Sequence, residues 1–443
     1  MTTAISQGTF MRNFATKLAV ALPPLFFLAP LLCIIAPRLT VTTLVVLASV
    51  VIVLALLEGT KLRELFKLDL TFVLLIAAGA YLFVNATWSA DSERALGKAA
   101  VFLLFAVLTY GSVRALIEWP VQRAKAAGMG FALGTTFGLA FLLFELATHQ
   151  WLARTVYNNF SFAVPHGTKG FVIRHGEIRR IPTFELNRDV GVLLISLWPA
   201  LLYLFVARGG RVCQALGTIL AVGSAIAIYA SAHDTSQIAL PISLIVFAVA
   251  LAWPRGAWLG VTAAWCLAFA LVIPLAVSAF NNGLHEAEWI PYSGRARIIL
   301  WAYTAEDVHK APIGGIGIST TRAESAKPKL RAKSQEAKKK GSYAWYAGPH
   351  AHNEYLQTWY ELGVIGVILF MAAGAAILGV IGRLASPNRA FMLAHFAAFA
   401  TISASGWGMW QTWLMALAGL PAIYGALAVV AARKLPAATE AQS

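Results

Sequence analysis

The sequence predicts an all-α polytopic membrane protein of about twelve transmembrane helices. Three observations carry that expectation. Hydrophobic residues make up 59% of the 443 and charged residues only 12%, where a soluble globular chain carries roughly 25% charged residues. Mean hydropathy is +0.69. Mainly apolar runs of about 20 residues, the length that crosses a bilayer core, recur along the chain. The same composition excludes intrinsic disorder, a coiled coil and a disulfide-stapled secreted scaffold. Cys33, Cys213 and Cys266 lie inside apolar runs without metal-ligand spacing and read as packing residues.

The runs fall, in order, at 17–36, 40–57, 69–87, 96–116, 127–147, 190–207, 213–230, 236–253, 257–279, 360–382, 390–409 and 412–432. They divide the chain into residues 1–147 with helices one to five, a loop at 148–189, helices six to nine at 190–279, a large loop at 280–359, and helices ten to twelve with a tail at 360–443. The first run follows Arg12 and Lys17 in the manner of a signal peptide. It lacks a small-residue cleavage site and leads into further spans, so it reads as an uncleaved anchor.

Charge supplies the orientation. There are 35 Lys+Arg against 20 Asp+Glu, a net +15. In a soluble chain that excess would suggest nucleic acid; here it first marks cytoplasmic loops. One set of short loops holds Arg12 and Lys17; Lys61, Arg63 and Lys67; Arg114, Arg123 and Lys125; Arg208 and Arg211; Arg255; Arg383 and Arg389; Arg433 and Lys434. The opposite set holds Arg38, the mixed cluster Asp91, Glu93, Arg94 and Lys98, and His233-Asp234. The positive-inside rule therefore places both termini in the cytoplasm and both long loops on the outer face.

The long loops carry the remaining cations. Residues 171–181 alternate around His175-Gly176, which suits a small β-hairpin. The loop then reaches Asn187-Arg188-Asp189 at the mouth of the sixth span. In the second loop, residues 291–301 lead into a helix-like stretch ending near His309. A turn follows at Pro312, Gly314, Gly315 and Gly317, then a basic run at 319–340 that reads as a solvated segment or a patch for anionic lipid. It closes on G-P-H-A-H-N-E-Y-L-Q at 348–357. Trp151, Trp289, Trp301 and Trp345 read as an interfacial aromatic belt, and His233-Asp234, between two spans on the outer side, reads as a simple loop or as the lining of a cavity.

Two groups of residues can do chemistry. Arg188, Arg295 and Arg297 offer guanidinium forks that match phosphate oxygens and keep their charge. The competing reading is snorkelling, or pairing of Arg188 with Glu185 or Asp189. His350 and His352 can take a proton from a hydroxyl near neutral pH. At i, i+2 they share a side on an extended segment but diverge by about 200° on a helix. The spacing is not that of a helical metal site, although Glu354 and Glu361 lie nearby. Asn353 suits the N-cap of the next helix.

The ordered set resembles a known family. Ser293-Gly294-Arg295 is followed by Trp301; then come Pro312, Gly314 and Gly317; then His350, His352, Asn353, Tyr355, Leu356 and Gln357; then Glu361, Gly363 and Gly366. This is similar to the O-antigen ligase/polymerase superfamily of bacterial inner-membrane glycosyltransferases, over roughly residues 187–366. The resemblance implies a GT-C-like helical fold and a periplasm-facing site. It implies an undecaprenyl pyrophosphate-linked O-antigen donor, a lipid A–core acceptor, and no metal or other cofactor. By the same resemblance His352 is the catalytic base and Arg188 and Arg295 bind pyrophosphate, with His350, Arg297, Asn353 and Tyr355 in support. Nucleic acid is not an expected partner, whereas membrane lipids are. Alternatives are an O-antigen polymerase or a protein O-oligosaccharyltransferase of the same superfamily and, from another class, a lipid or sugar transporter.

Overall fold

The computed structural model describes residues 2–160, 162, 164, 170–325 and 348–433, with side chains from Asn13 onward. The helices are α1 (Thr2–Ile35), α2 (Thr40–Leu57), α3 (Leu62–Leu65), α4 (Leu70–Ala86), α5 (Ser92–Ile117), α6 (Val121–Ala147), α7 (Trp151–Asn159), α8 (Asn187–Leu202), α9 (Arg211–Ala230), α10 (Asp234–Ala252), α11 (Pro254–Asn281), α12 (Tyr292–Asp307), α13 (Thr320–Ser325), α14 (Glu354–Gly382), α15 (Asn388–Ser405) and α16 (Thr412–Ala431). The fold is an all-α polytopic membrane protein. Each expected run is a helix, but ten segments, not twelve, are long and apolar enough to cross a membrane among the described residues. The other two are α4, short at 17 residues, and α15, whose apolar run is diluted by Asn388, Arg389 and His395.

The centre of the bundle is α8, where every residue from Asp189 to Leu202 is buried. Around it the outer helices turn apolar side chains such as Ile219, Val222, Ile226 and Ile245 outward, the surface that lipid covers. With no hydrophobic effect between helices in lipid, close approach depends on small residues. Gly130, Gly134 and Gly138 of α6 show this. A Cβ on either of the first two would overlap the Pro23 or Phe27 carbonyl of α1.

The expected hairpin is present. Strands β1 (Val172–Arg174) and β2 (Glu177–Arg180) pair antiparallel with Arg174 opposite Glu177. His175 and Gly176 both take positive φ, 52° and 80°, as a tight primed turn requires. Most of the basic run, 326–340, together with Trp345 and Lys434, lies outside the described residues.

Hydrogen bonds tie the helix ends together at one end of the bundle. Thr40 Oγ1 donates to the Trp413 carbonyl (2.9 Å), Lys98 Nζ to Thr412 Oγ1 (2.8 Å), Asn187 Nδ2 to the Ala232 carbonyl (3.2 Å) and Ser293 Oγ to Asp234 Oδ2 (2.8 Å). Both histidines of the 348–357 motif sit at this end. The opposite end is stitched by Arg123 to Glu58 and by Tyr203 Oη to the Lys125 carbonyl (2.7 Å).

Candidate active site

The segment 348–353 is irregular backbone held between three helices. Trp301 of α12 donates its indole N–H to the Ala351 carbonyl at 3.0 Å, so this tryptophan fixes the motif. Asn353 caps α14, its Oδ1 accepting from Leu356 N at 3.0 Å. Between them His352 adopts a left-handed backbone, φ 52°. That bend brings the His350 and His352 rings together edge to face, centroids 4.0 Å apart.

The tautomer of His352 follows from its partner. Its Nδ1 lies 2.8 Å from the Gly406 carbonyl, which can only accept. The proton of the neutral ring therefore sits on Nδ1, and Nε2 keeps a free lone pair. Burial, reinforced by the Arg297 charge and opposed by the Gly406 carbonyl, lowers the His352 pKa from its usual value. His350 is pulled down further, to about 3, by burial, then by His352 and Arg322. Both rings are thus neutral at physiological pH.

The three candidate arginines fall into different surroundings. Arg188, at the start of α8, places its guanidinium over the Trp413 ring at 5.7 Å, a cation–π contact. It forms no salt bridge with Glu185 or Asp189. Trp413 donates to Gln411 Oε1 at 2.8 Å, and the Gln411 amide reaches His350 Nε2 at 3.4 Å. Arg188 is thereby connected to the imidazole pair through two side chains. On α12, Arg295 and Arg297 are two residues apart and point to different sides. Arg297 is the one whose charge acts on His350 and His352, and burial lowers its own pKa. Arg295 has its Nε buried with no hydrogen-bond partner among the described residues.

Sequence reasoning missed Trp407, Gln411 and Trp413, and it left His233 open between a simple loop and a cavity lining. His233 is buried at the mouth of α10. Its ring stacks on Trp407 at 4.8 Å, and Trp407 meets Trp413 edge to face. Its pKa falls to about 4 through burial and Arg297, with Asp234 opposing. No local motif could have linked His233 to the second loop; its polarity beside an apolar run was the single hint. Tyr355, expected in support, turns away into the apolar core, where its hydroxyl donates to the Ala400 carbonyl (2.8 Å) beneath Trp265 and Phe269.

The Pro-x-Gly-x-x-Gly turn and the Gly363 motif form one joint. Gly363 has φ 62°, which kinks α14 and frees backbone groups. The 312–317 turn satisfies them: Ile316 N donates to Tyr360 O (3.0 Å), Gly317 N to Glu361 O (3.0 Å), and Val364 N to Pro312 O (2.9 Å). A Cβ on Gly315 or Gly363 would collide with facing backbone. From α4, Asn85 donates to Gly314 O (2.6 Å) and accepts from Ile318 N (2.6 Å). The Glu361 carboxylate accepts from Ser319 N, Thr321 N and the Trp410 indole.

Two cavities meet at Trp410. One, about 550 Å³, is polar and is lined by His350, Gln411 and Trp413 with Arg94, Lys98 and Arg322. The other, about 280 Å³, is apolar and runs among Phe102, Trp265, Phe269, Phe370 and Met409. Among the described residues no three His, Cys, Asp or Glu are grouped to hold a metal ion. Among the described residues the site offers a neutral base and guanidinium groups that form no salt bridge.

Residues 219–371 match the family model described as O-Antigen ligase. That stretch includes His233, both α12 arginines, both motif histidines and the Gly363 joint. A protein of Rickettsia conorii is 29% identical over 123 residues, 27% of this chain and 28% of the relative. One of Rickettsia felis is 28% identical over the same length, 29% of the relative. One of Rickettsia bellii is 23% identical over 317 residues, 71% of this chain and 70% of the relative. All three are provisionally named polysaccharide ligases. The chain thus spans under a third of the first two relatives.

Proposed function

We propose that this chain, which belongs to the O-antigen ligase superfamily, is an inverting, metal-independent glycosyltransferase of the bacterial inner membrane. It moves O-antigen polysaccharide from undecaprenyl pyrophosphate to a sugar hydroxyl of lipid A–core. Its site faces the periplasm and both termini are cytoplasmic. The observation that carries the reading is the His352 tautomer: Nδ1–H committed to the Gly406 carbonyl at 2.8 Å, Nε2 bare.

The step balances with the residues at hand. His352 Nε2 takes the acceptor O–H proton as that oxygen attacks the anomeric carbon. The carbon–oxygen bond to pyrophosphate breaks, and undecaprenyl pyrophosphate leaves with the electron pair. Arg188 and Arg295 hold the pyrophosphate and stabilise the charge that grows on it; among the described residues Arg295 Nε has no acceptor to give up. Burial keeps the imidazoles neutral before transfer, and the Arg297 charge adds to it. The apolar cavity beside Trp410 suits a prenyl chain.

Transfer by the purified protein with both lipid substrates, in the presence of EDTA, is the test. His352→Ala is expected to lower the rate by about 10²–10⁴ while the protein remains folded. Undiminished activity would remove the base assignment. Loss with EDTA and rescue by Mg²⁺ would remove the metal-free step. Extension of the lipid-linked glycan without lipid A–core would make the protein a polymerase.

A further inference from the structure

The polar cavity of about 550 Å³ is lined by His350 but not by Arg188, Arg295 or Arg297. Its cations are a different set. Arg94 and Lys98 lie one turn apart near the start of α5, on one helix face, and Arg322 stands opposite on α13. Arg94 meets Asp91 only at 4.0 Å on the exposed rim. Lys98 Nζ gives a hydrogen bond to the Thr412 hydroxyl, not to a carboxylate. Arg322 forms no salt bridge among the described residues. The one carboxylate among the described residues of the wall, Glu361, is already engaged by three N–H donors, at 3.1 Å (Ser319), 3.0 Å (Thr321) and from Trp410. Three cations facing one saturated carboxylate leave a field that an anion completes.

A second feature points to a ligand of mixed character. Gln357 is 2% exposed and lines the same cavity. Its Oε1 has no donor among the described residues. A buried amide oxygen without a donor is costly to retain, and a hydroxyl entering the cavity would supply one. Phosphate oxygens answer the cations, and sugar hydroxyls answer Gln357.

We infer that the Arg94–Lys98–Arg322 cavity binds a phosphorylated sugar. Resting on the transfer reading above, that sugar belongs to the acceptor glycolipid: the residues assigned to the donor pyrophosphate lie outside this lining, so a phosphate held here is another one. The cavity brings the acceptor up to His350, whose ring lies 4.0 Å from that of the base His352, and selects acceptors by their phosphate.

The test is steady-state transfer by the full chain with two acceptors, lipid A–core carrying its sugar phosphates and the same glycolipid dephosphorylated. Arg94→Gln and Arg322→Gln replace exposed side chains, and size-exclusion profiles in detergent check their folding. Each is expected to raise acceptor KM roughly 10-fold, the loss of one charge-assisted contact, with donor KM unchanged. Wild type is expected to show a similar penalty on the dephosphorylated acceptor, and the double variant no preference. Equal acceptor KM values for wild type overturn the inference, as does a rise confined to donor KM. If wild type transfers to neither acceptor, the transfer reading fails separately, and equilibrium binding of the two glycolipids decides the cavity. Tighter binding of the phosphorylated form by wild type but not by the double variant then supports it, and equal binding overturns it.

Discussion

Three arginines at each end of the bundle are treated in opposite ways. At the end away from the histidines, Arg123, Arg389 and Arg433 are partnered. Arg123 forks onto both oxygens of Glu58 at 2.6 and 2.7 Å, Arg433 donates to the Ile117 carbonyl at 2.6 Å, and Arg389 to the Leu384 carbonyl at 2.8 Å. At the histidine end, Arg188, Arg295 and Arg297 are half-buried, and none forms a salt bridge among the described residues. Withdrawing an unpaired charge from water costs several kcal/mol. A fold keeps such groups where a ligand supplies the missing counter-charge. The first end holds orientation and packing; the second is set for an anion.

The sharpest way to break the contrast is to damage the joint that shapes the histidine end. Gly363→Ala places a Cβ against the Ile313 carbonyl and forces alanine into a positive-φ, extended-ψ conformation essentially reserved for glycine, which alone costs about 1–3 kcal/mol. The backbone collision adds to that. Thermal unfolding in detergent is expected to shift downward by several degrees and transfer to be lost. An unchanged melting profile with full activity would show that the kink is incidental.

A finer probe concerns charge acting on the base. Burial and then Arg297 lower the His352 pKa, so the neutral, competent ring persists to lower pH than an ordinary histidine allows. Activity therefore rises with pH, with its rising limb on the acid side of an ordinary histidine's. Removing the cation with Arg297→Gln stabilises the protonated ring and raises its pKa. The rising limb of the pH–rate profile should move toward higher pH, with the loss of activity confined to its acid side and activity retained at pH 8. A uniform loss at every pH would instead assign Arg297 to substrate binding.

How much of this was legible beforehand depends on range. Helices at all twelve runs, the hairpin at His175-Gly176 and the cap at Asn353 rest on residues close in sequence, where periodicity and turn chemistry act. The number of spans was less legible, because polar groups inside α15 weaken its span without weakening its helix. Within the candidate site, His350, His352 and Arg188 could be named from residue type and position. The division of labour on α12 could not, because two arginines at i, i+2 face different neighbours only once α12 has docked. His233, Gln411 and Trp413 are joined to the motif by packing between helix ends remote in sequence, for which a single sequence holds no local sign.

The smallest expected effect lies at the partnered end and tests whether the contrast is real. Arg123→Gln breaks the fork on Glu58, whose side chains are 22% and 36% exposed. Solvent screens such a pair, and exposed ion pairs contribute about 0.2–1 kcal/mol. Arg123 also lies over Trp119 at 5.6 Å, which keeps the estimate toward the upper part of that range. Transfer rate, both KM values and the pH profile should match wild type, with a melting shift of a few degrees at most. A large rate change would mean that the two ends are energetically coupled through the intervening helices. The unpaired arginines would then no longer be a property of one end alone.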